Sequence, residues 1–326
     1  MDMMLTDKEG KEICVWTPDL DADVGDTNDF EIGINLEMWK KDITYDCRWY
    51  VPGTEFGGII SDIESNTKTK KVTVRGDTWR GMLAKKVIEP PTGQDYRIVS
   101  GKIHEVMKTM IEPEFSGIFK VPNIKENTEI TYQFERYCTL LEGLQKMLDV
   151  KGKRMQIHYV PGNPGESGYV EVMAVDKKDY SENLELSQDG KLSFTCRDYR
   201  RGYNHLICLG KGELKDRLVL HLYEKNGKIG KEKAYTGMEE RTLVYDLAAE
   251  ENEEELEKSA TEKFKELINY KKIAVSVNDV ELEIGDTVAG RDYVTGIYVK
   301  RPIIQKILRI TKEKKDVEYK VQGGEV

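Results

Sequence analysis

Apolar and polar residues alternate with period 2 in long stretches at both ends of the chain, and this alternation limits the possible folds strongly. The run FEIGINLEMW (30–39) is typical of a half-buried strand. The run GGIISDIESNTKTKKVTVRG (57–76) predicts two strands joined by a polar turn near 66–70. Strand patterns return from Leu184 onward, where Asn226-Gly227 is typical of a two-residue hairpin turn. Both ends of the chain are therefore expected to be β-rich.

The middle of the chain changes to helical spacing after Pro90-Pro91. Apolar residues recur every three or four positions from Ile103 to Ile111, and Ser100 is the predicted cap of that helix. Thr139 and Glu142 form a capping box ahead of LLEGLQKML (140–148). The runs RMQIHYV and GYVEVMAVD then predict two strands. These patterns divide the chain into a β block at 1–95, an inserted α/β domain at 96–183 and a second β block at 184–326.

A long acidic helix is predicted within the second β block, over about 246–270. One apolar stripe runs along it from Leu256 to Ile268, so a single face is expected to pack. Glutamates crowd its first turns and lysines its last turns, which complements the helix dipole. The acidic run is open to interpretation as a cation or partner site, but a solvated helix start is the favoured interpretation.

A weak internal repeat connects the two β blocks. Seven residues recur at one fixed offset: Ile59, Ile60, Ile63, Thr67, Lys68, Lys70 and Lys71 return as Ile303, Ile304, Ile307, Thr311, Lys312, Lys314 and Lys315. Each segment leads into another strand that ends near a glycine, Gly76 or Gly323. The open alternative is that any two hairpins with a lysine-rich turn look alike. The repeat favours two related β modules.

The residues that catalysis requires do not form a recognisable pattern. His205 and Cys208 are close in sequence, but their odd separation on one predicted strand points them to opposite faces. Cys196, His205 and Cys208 have the chemistry of zinc ligands without the usual paired spacing, so a zinc site is only weakly indicated. The sequence contains no GxSxG, HExxH or P-loop pattern. No catalytic residue, cofactor site or metal site is predicted, and the chain is not expected to be an enzyme.

Two further segments contain residue types that occur in binding sites. RDYRRGYNH (197–205) mixes arginine with tyrosine and has the chemistry to contact phosphate or sugar, although a charged loop with aromatic packing is favoured. Gly210 and Gly212 follow a predicted strand without opening a helix, which excludes a nucleotide loop.

Charge and hydropathy exclude other classes of protein. The formal net charge is −9, the opposite of what a general nucleic-acid binder needs, so no nucleic-acid sequence recognition is expected. No apolar run approaches the roughly eighteen residues of a membrane span. The acidic first ten residues predict no secretory signal. Five cysteines without a framework spacing indicate reduced thiols and folding in a cytosol.

In the order of its elements, the sequence resembles the minor tail proteins of siphophages and prophages that form the baseplate or tail-tip hub. The segments that carry the resemblance are Gly58-Ile59-Ile60 with its charged hairpin, VTVRGDTWRGMLAKKVIEPP (72–91), LLEGLQKML (140–148) and IGDTVAGRDYVTGIYVKRPIIQKILRI (284–310). Residues 1–24 and 223–234 match least. Trp79 and Met82 stand where the family pattern has aliphatic residues, which bears on packing.

The resemblance implies an α+β, mainly β fold with two tube-like β-barrel modules, the inserted α/β domain and the acidic helix. It implies a homotrimeric hub that joins the tail tube or distal tail protein to the spike, tip and other baseplate proteins. The protein is then expected in the tail of a virion or phage-like particle, after synthesis in the host bacterial cytoplasm. One alternative is a tail-associated peptidoglycan hydrolase. Another is a carbohydrate-binding adhesin, which would expose aromatic platforms; the tryptophans are Trp16, Trp39, Trp49 and Trp79.

Overall fold

The computed structural model of the chain shows a mainly β, α+β protein. It describes residues 3–115, 117–124, 128–181, 185–186, 193–225, 228–248, 250–265, 267–268, 270–276, 282–291, 294–311 and 314–321. Among these residues, no helix has both the length and the apolar character that crossing a membrane requires.

The helices and strands are numbered in chain order. The helices are α1 (Trp79–Ala84), α2 (Ile103–Ile111), α3 (Leu140–Asp149) and α4 (Glu253–Lys265). The strands up to α2 are β1 (Met3–Thr6), β2 (Glu12–Trp16), β3 (Asp19–Val24), β4 (Asp29–Asn35), β5 (Arg48–Tyr50), β6 (Gly57–Asn66), β7 (Lys71–Thr78) and β8 (Ile98–Lys102). The next are β9 (Phe119–Lys120), β10 (Glu129–Gln133), β11 (Lys153–Val160), β12 (Tyr169–Asp176), β13 (Glu185–Leu186), β14 (Ser193–Tyr199) and β15 (His205–Leu209). The last are β16 (Val219–Lys225), β17 (Lys228–Gly230), β18 (Thr242–Asp246), β19 (Tyr270–Ser276), β20 (Thr287–Arg291), β21 (Tyr298–Ile310) and β22 (Lys315–Val321).

The chain divides into two compact units. Unit 1 comprises Met1–Ser193, Val275–Ala289 and Lys300–Lys320, and unit 2 comprises Phe194–Ala274, Gly290–Val299 and Val321–Val326. Strands from both ends of the sequence therefore fold together in unit 1.

Unit 1 contains a large sheet in which the strands run in the order β22-β21-β3-β4-β7-β6-β5-β1-β2. Apolar side chains of β3 and β4 are buried at alternate positions, as the period-2 pattern predicts. The FEIGIN part of the predicted strand lies in β4, whereas Leu36–Met38 turn into one 3-10 turn. Since β21 pairs with β3, the last β segment extends the first sheet. No sheet closes on itself among the described strands.

The middle of the chain, also in unit 1, forms a helix pair with two small sheets, β10-β8 and β11-β12-β9. Its apolar core includes Trp79 and Leu83 of the first β block. Trp79 is fully buried, with its ring packed edge-on against Phe119, so the family's aliphatic position holds a larger core side chain here.

The two helix caps expected in this region have different outcomes. The Thr139 hydroxyl accepts a hydrogen bond from the Glu142 N–H at 3.1 Å, so this predicted cap of α3 is confirmed. The prediction for Ser100 is wrong, because Ser100 lies within β8 and its hydroxyl is 2.9 Å from the hydroxyl of Thr131 on β10. The Ser100 hydroxyl therefore takes part in a contact between β8 and β10 and does not cap α2.

Unit 2 packs α4 against one face of the four-stranded sheet β17-β16-β15-β18. The predicted helix over 246–270 is shorter, Glu253–Lys265. Asp246 is the last residue of strand β18, and the next segment is held by backbone hydrogen bonds from the Leu247 N–H to Leu209 O and from the Lys211 N–H to Glu250 O, both at 2.8 Å. Asn252 caps the helix by accepting the Glu254 N–H at 2.8 Å. The apolar stripe packs through Leu256, Ala260 and Phe264. Asn226-Gly227 lie outside the described residues, but β16 and β17 pair around them with Lys225 opposite Lys228.

The two copies of the predicted repeat lie in similarly paired strands, but their aligned side chains do not lie on the same face. Both copies lie in consecutive paired strands, β6 with β7 and β21 with β22. Ile60 is fully buried, whereas its counterpart Ile304 is 44% exposed; Ile59 is half-buried, whereas its counterpart Ile303 is buried. A shift of one residue moves every side chain of a strand to the other face, so the fixed offset is not the structural alignment.

Candidate functional site

A row of charged side chains crosses the polar face of the sheet in unit 1. Arg309, Asp21, Glu31, Arg75 and Asp62 occupy facing positions on five adjacent strands. Arg75 Nε lies 2.7 Å from Glu31 Oε2, and Arg309 Nε lies 3.2 Å from Asp21 Oδ2. Pairs of opposite charge at facing positions stabilise strand register. The facing pairs Arg309–Asp21, Glu31–Arg75 and Arg75–Asp62 therefore favour the observed register, whereas Asp21 and Glu31 face each other with like charge.

A buried ionic network lies elsewhere in the same unit. Glu55 pairs with Arg80 of α1, and its other carboxylate oxygen lies 3.2 Å from the ammonium of Lys306 on β21. Lys306 also lies 2.6 Å from Glu283 Oε2. The side chains of Glu55, Arg80 and Lys306 are at most 3% exposed. The network links the loop before β6, helix α1 and the last long strand.

The charges in this network stabilise one another despite burial. Burial by itself would raise the pKa of Glu55, but the positive charges of Arg80 and Lys306 outweigh it, and the pKa is lowered. Burial by itself would lower the pKa of Lys306, but Glu283 and Glu55 raise it. Both groups are therefore held in their charged forms, and each depends on its partner.

A second buried pair joins the Gly285-Asp286 segment to β11. Asp286 is fully buried, and its Oδ1 accepts hydrogen bonds from Arg154 Nε and from the Lys178 N–H, both at 2.8 Å. Gly285 has a φ of +97°, and a Cβ there would lie 3.0 Å from the Cβ of Arg154. The glycine therefore permits the turn that brings Asp286 to Arg154.

The two side chains weighed as a nucleophile and its base point to opposite faces of β15. Cys208 packs in the core under α4, whereas His205 lies on the face shared with Tyr223 and Thr242. Burial raises the pKa of the Cys208 thiol to about 11. The pair therefore cannot perform the proton transfer that activates a cysteine nucleophile.

His205 belongs instead to a polar cluster on the face of the unit 2 sheet opposite α4. Its Nδ1 lies 2.8 Å from Thr242 Oγ1 and 3.1 Å from Glu240 Oε1, while its Nε2 lies 2.9 Å from His221 Nδ1. Burial and the neighbouring His221 lower the pKa of His205. The side chain of Cys196, the third proposed zinc ligand, lies outside the described residues. Among the described ones, no three His, Cys, Asp or Glu side chains come together to hold a metal ion.

Alkylation of the folded protein with iodoacetamide at pH 8 is expected to modify Cys14 and spare Cys208. Cys14 is partly exposed, whereas Cys208 is completely buried, and a thiol with a pKa of about 11 is roughly one part in a thousand thiolate at that pH. Peptide mass spectrometry measures both sites, with guanidinium-unfolded protein as the control in which both react. Equal labelling of Cys14 and Cys208 in the folded protein would contradict the buried position of Cys208.

The other segments weighed as binding sites serve structural roles where they are described. In the arginine- and tyrosine-rich segment, the side chain of Asn204 hydrogen-bonds to Glu239 and Arg241, and Tyr203 packs against the core of unit 2. Gly210 and Gly212 lie in a loop that leads to one 3-10 turn at Leu214–Asp216. Trp16, Trp49 and Trp79 are buried, and Trp39 is half-buried.

Comparison with known proteins gives matches in structure but not in sequence. No protein-family model matches the chain, and no curated protein matches it. The crystal structure of a 43 kDa tail protein of prophage MuSo2 from Shewanella oneidensis matches with a TM-score of 0.54 and 11% identity, covering 99% of this chain and 98% of that one. A tail protein from Neisseria meningitidis MC58 matches with a TM-score of 0.51 and 14% identity, covering 98% and 96%.

The chain has the fold of these tail proteins. The resemblance inferred from sequence is thereby confirmed at the level of the fold. In this tail-protein fold, the buried network of Glu55, Arg80 and Lys306 is the feature that sequence reasoning missed. A signal for it did exist, because Gln305 and Lys306 stand between the apolar pairs Ile303-Ile304 and Ile307-Leu308 of β21. A charge at such a position needs a buried partner, but the sequence does not name which carboxylate supplies it.

Proposed function

We propose that this chain is a structural component of a phage or phage-like tail, located at the baseplate or tip. The observation that carries the proposal is the fold shared with a prophage tail protein along almost the entire length of both chains. In addition, β21 pairs with β3, so strands from distant parts of the sequence form one sheet.

In the proposed hub, three copies form a ring that joins the tail tube or distal tail protein to the spike or tip. Each copy would contribute two related β modules, so that a three-fold ring meets a six-fold tube. The sequence repeat supports this arrangement only in that both copies lie in paired strands, since the aligned isoleucines lie on opposite faces. We propose the tube-like barrels as a property of the assembled ring and not of one copy.

We also propose that the chain acts without catalysis, as a component of the particle made in the host cytoplasm. Support comes from Cys208, which is buried away from His205, and from the buried carboxylates Glu55 and Asp286, which are already engaged with cations. The alternative remains a tail-associated peptidoglycan hydrolase. A zymogram in which the purified chain lyses peptidoglycan, and in which one carboxylate substitution abolishes lysis, would establish that alternative.

The proposal predicts that the chain is present in purified tail particles at a fixed copy number. Quantitative mass spectrometry of particles from an induced culture should find it in a multiple of three relative to tail fibres or tips. Immunogold electron microscopy should place it at the tail end distal to the capsid. A chain that is expressed but absent from intact particles would rule out a structural role in the tail.

A further inference from the structure

A cleft of about 140 Å³ with several apolar lining residues lies on unit 1. Val15, Trp16, Ile34 and Met38 are among the apolar residues that line it. Val15 is 55% and Met38 is 58% exposed. Val15 belongs to β2, which is the edge strand of this sheet. A cleft with exposed apolar residues beside an open sheet edge is a surface that proteins normally cover.

The charges around this cleft differ from those of the chain as a whole. Lys40, Lys71 and Asp19 line it. Within the described part of the chain, neither lysine ammonium has a carboxylate at ion-pair distance; the contact recorded for Lys40 is to Cys14 Sγ at 3.6 Å. The cleft thus presents two lysines and one aspartate around an apolar centre, on a chain with a net charge of −9.

A segment with the complementary character is exposed on unit 2. Leu214 is 93% exposed, and its φ of +53° lies in the left-handed region that leucine disfavours. Glu213 and Asp216 flank it with Lys215 between them, and no ion pair engages any of the three among the described residues. A strained backbone that holds an apolar side chain in water is a feature that a contact would explain.

We propose that Leu214 of one copy inserts into the cleft of Trp16, Ile34 and Met38 of a second copy. Glu213 and Asp216 then pair with Lys40 and Lys71, and Lys215 pairs with Asp19. The match in number and sign of the charges, two acids and one base against two bases and one acid, favours a second copy as the occupant. The contact is heterologous, since it joins two different surfaces, and repeated contacts of this kind build a ring when the rotation closes.

This inference rests on the proposed function, because it names the contact that holds the copies of the ring together. The test is the mass of the purified chain by light scattering and sedimentation across a concentration series. The Lys40→Glu/Lys71→Glu variant and the Glu213→Lys/Asp216→Lys variant are each expected to self-associate at least about tenfold more weakly than the unaltered chain. The variant that carries all four substitutions is expected to recover the original mass, because the charges are exchanged and their complementarity is kept.

A matched control separates the contact from general surface effects. Leu214→Ala is expected to weaken self-association to a similar degree, whereas Met238→Ala should leave it unchanged. Met238 is fully exposed, lies beside Glu239 and belongs to the same unit, so it differs in taking no part in the contact. All substituted side chains are exposed, and circular dichroism should show an unaltered fold for every variant.

Several outcomes would overturn the inference. The inference is wrong if the unaltered chain is monomeric at every concentration. It is also wrong if the variant with all four substitutions does not recover the mass of the unaltered chain. If the lysine variant keeps its mass but no longer enters tail particles, the cleft binds a different tail protein and the contact between copies is wrong. In that case the proposed tail function stands. If instead the unaltered chain is absent from tail particles, the proposed function is wrong, whatever mass light scattering gives.

Discussion

Replacing Lys306 by methionine is expected to lower the free energy of unfolding by about 3–5 kcal/mol, because it removes one partner of a buried ion pair. Glu55 would keep Arg80 but lose the ammonium at 3.2 Å, and Glu283 would lose its contact at 2.6 Å. Methionine is close to lysine in length and fills the space beside Phe56. The decrease in the free energy of unfolding therefore measures the loss of the charge and not the creation of a cavity. Guanidinium unfolding followed by circular dichroism measures the change.

The matched control for this prediction is Arg75→Met on the polar face of the same sheet. Arg75 contacts Glu31, Asp62 and Glu64, which is more carboxylates than Lys306 contacts, but its side chain is 38% exposed. Water screens these pairs, so the control should cost no more than about 1 kcal/mol. Equal losses from the two substitutions would mean that burial does not set the strength of these ion pairs.

The buried network also predicts how stability depends on pH. Because the pKa of Glu55 is lower in the folded chain than in the unfolded one, its contribution is complete above the unfolded pKa and is lost as the pH falls through the folded pKa. The raised pKa of Lys306 has the opposite sense, and its contribution disappears only at strongly alkaline pH. The unaltered chain should therefore lose stability in acid, and Lys306→Met should lose less of it over the same interval.

Replacing Asp286 by alanine is expected to cost a similar amount, about 3–5 kcal/mol, since it leaves the Arg154 guanidinium buried without its charge partner. The Lys178 N–H would lose its acceptor as well. Asp286→Asn keeps the shape and one acceptor oxygen, so a smaller loss is expected from it. Urea unfolding of the three chains gives the comparison.

A double substitution tests whether the charge or the space matters at this site. Arg154→Met combined with Asp286→Leu removes both charges and fills the volume, so the pair should cost less than the sum of its single substitutions. Lys146→Met serves as the exposed comparison, because its ion pairs with Glu135 and Glu142 lie in solvent. Additive losses for Arg154 and Asp286 would show that the two side chains do not interact.

Local patterns in the sequence predicted the elements whose causes are local. The alternation in FEIGIN gave strand β4, and the Thr139 hydroxyl caps α3 through a contact three residues away. The prediction of Ser100 as a helix cap and the predicted start of the acidic helix were wrong for the same reason. Ser100 contacts Thr131 on another strand, and residues 247 and 250 form backbone hydrogen bonds with Leu209 and Lys211, so contacts with a distant segment overrode the local preference in both places.

What the sequence by itself determined is the mainly β, α+β class, the identity of most elements and the resemblance to tail proteins, because these depend on periodicity and on the order of segments. Only the tertiary structure decided which charges are buried together and which faces remain open. Asp286 and Arg154 are 132 positions apart, and nothing in their neighbourhoods pairs them. The period-2 alternation at the two ends forecast strands correctly, but it could not tell that β21 would join β3 in one sheet. Pairing between distant strands depends on the packing of the whole unit, and a shift of one residue exchanges the buried and exposed faces.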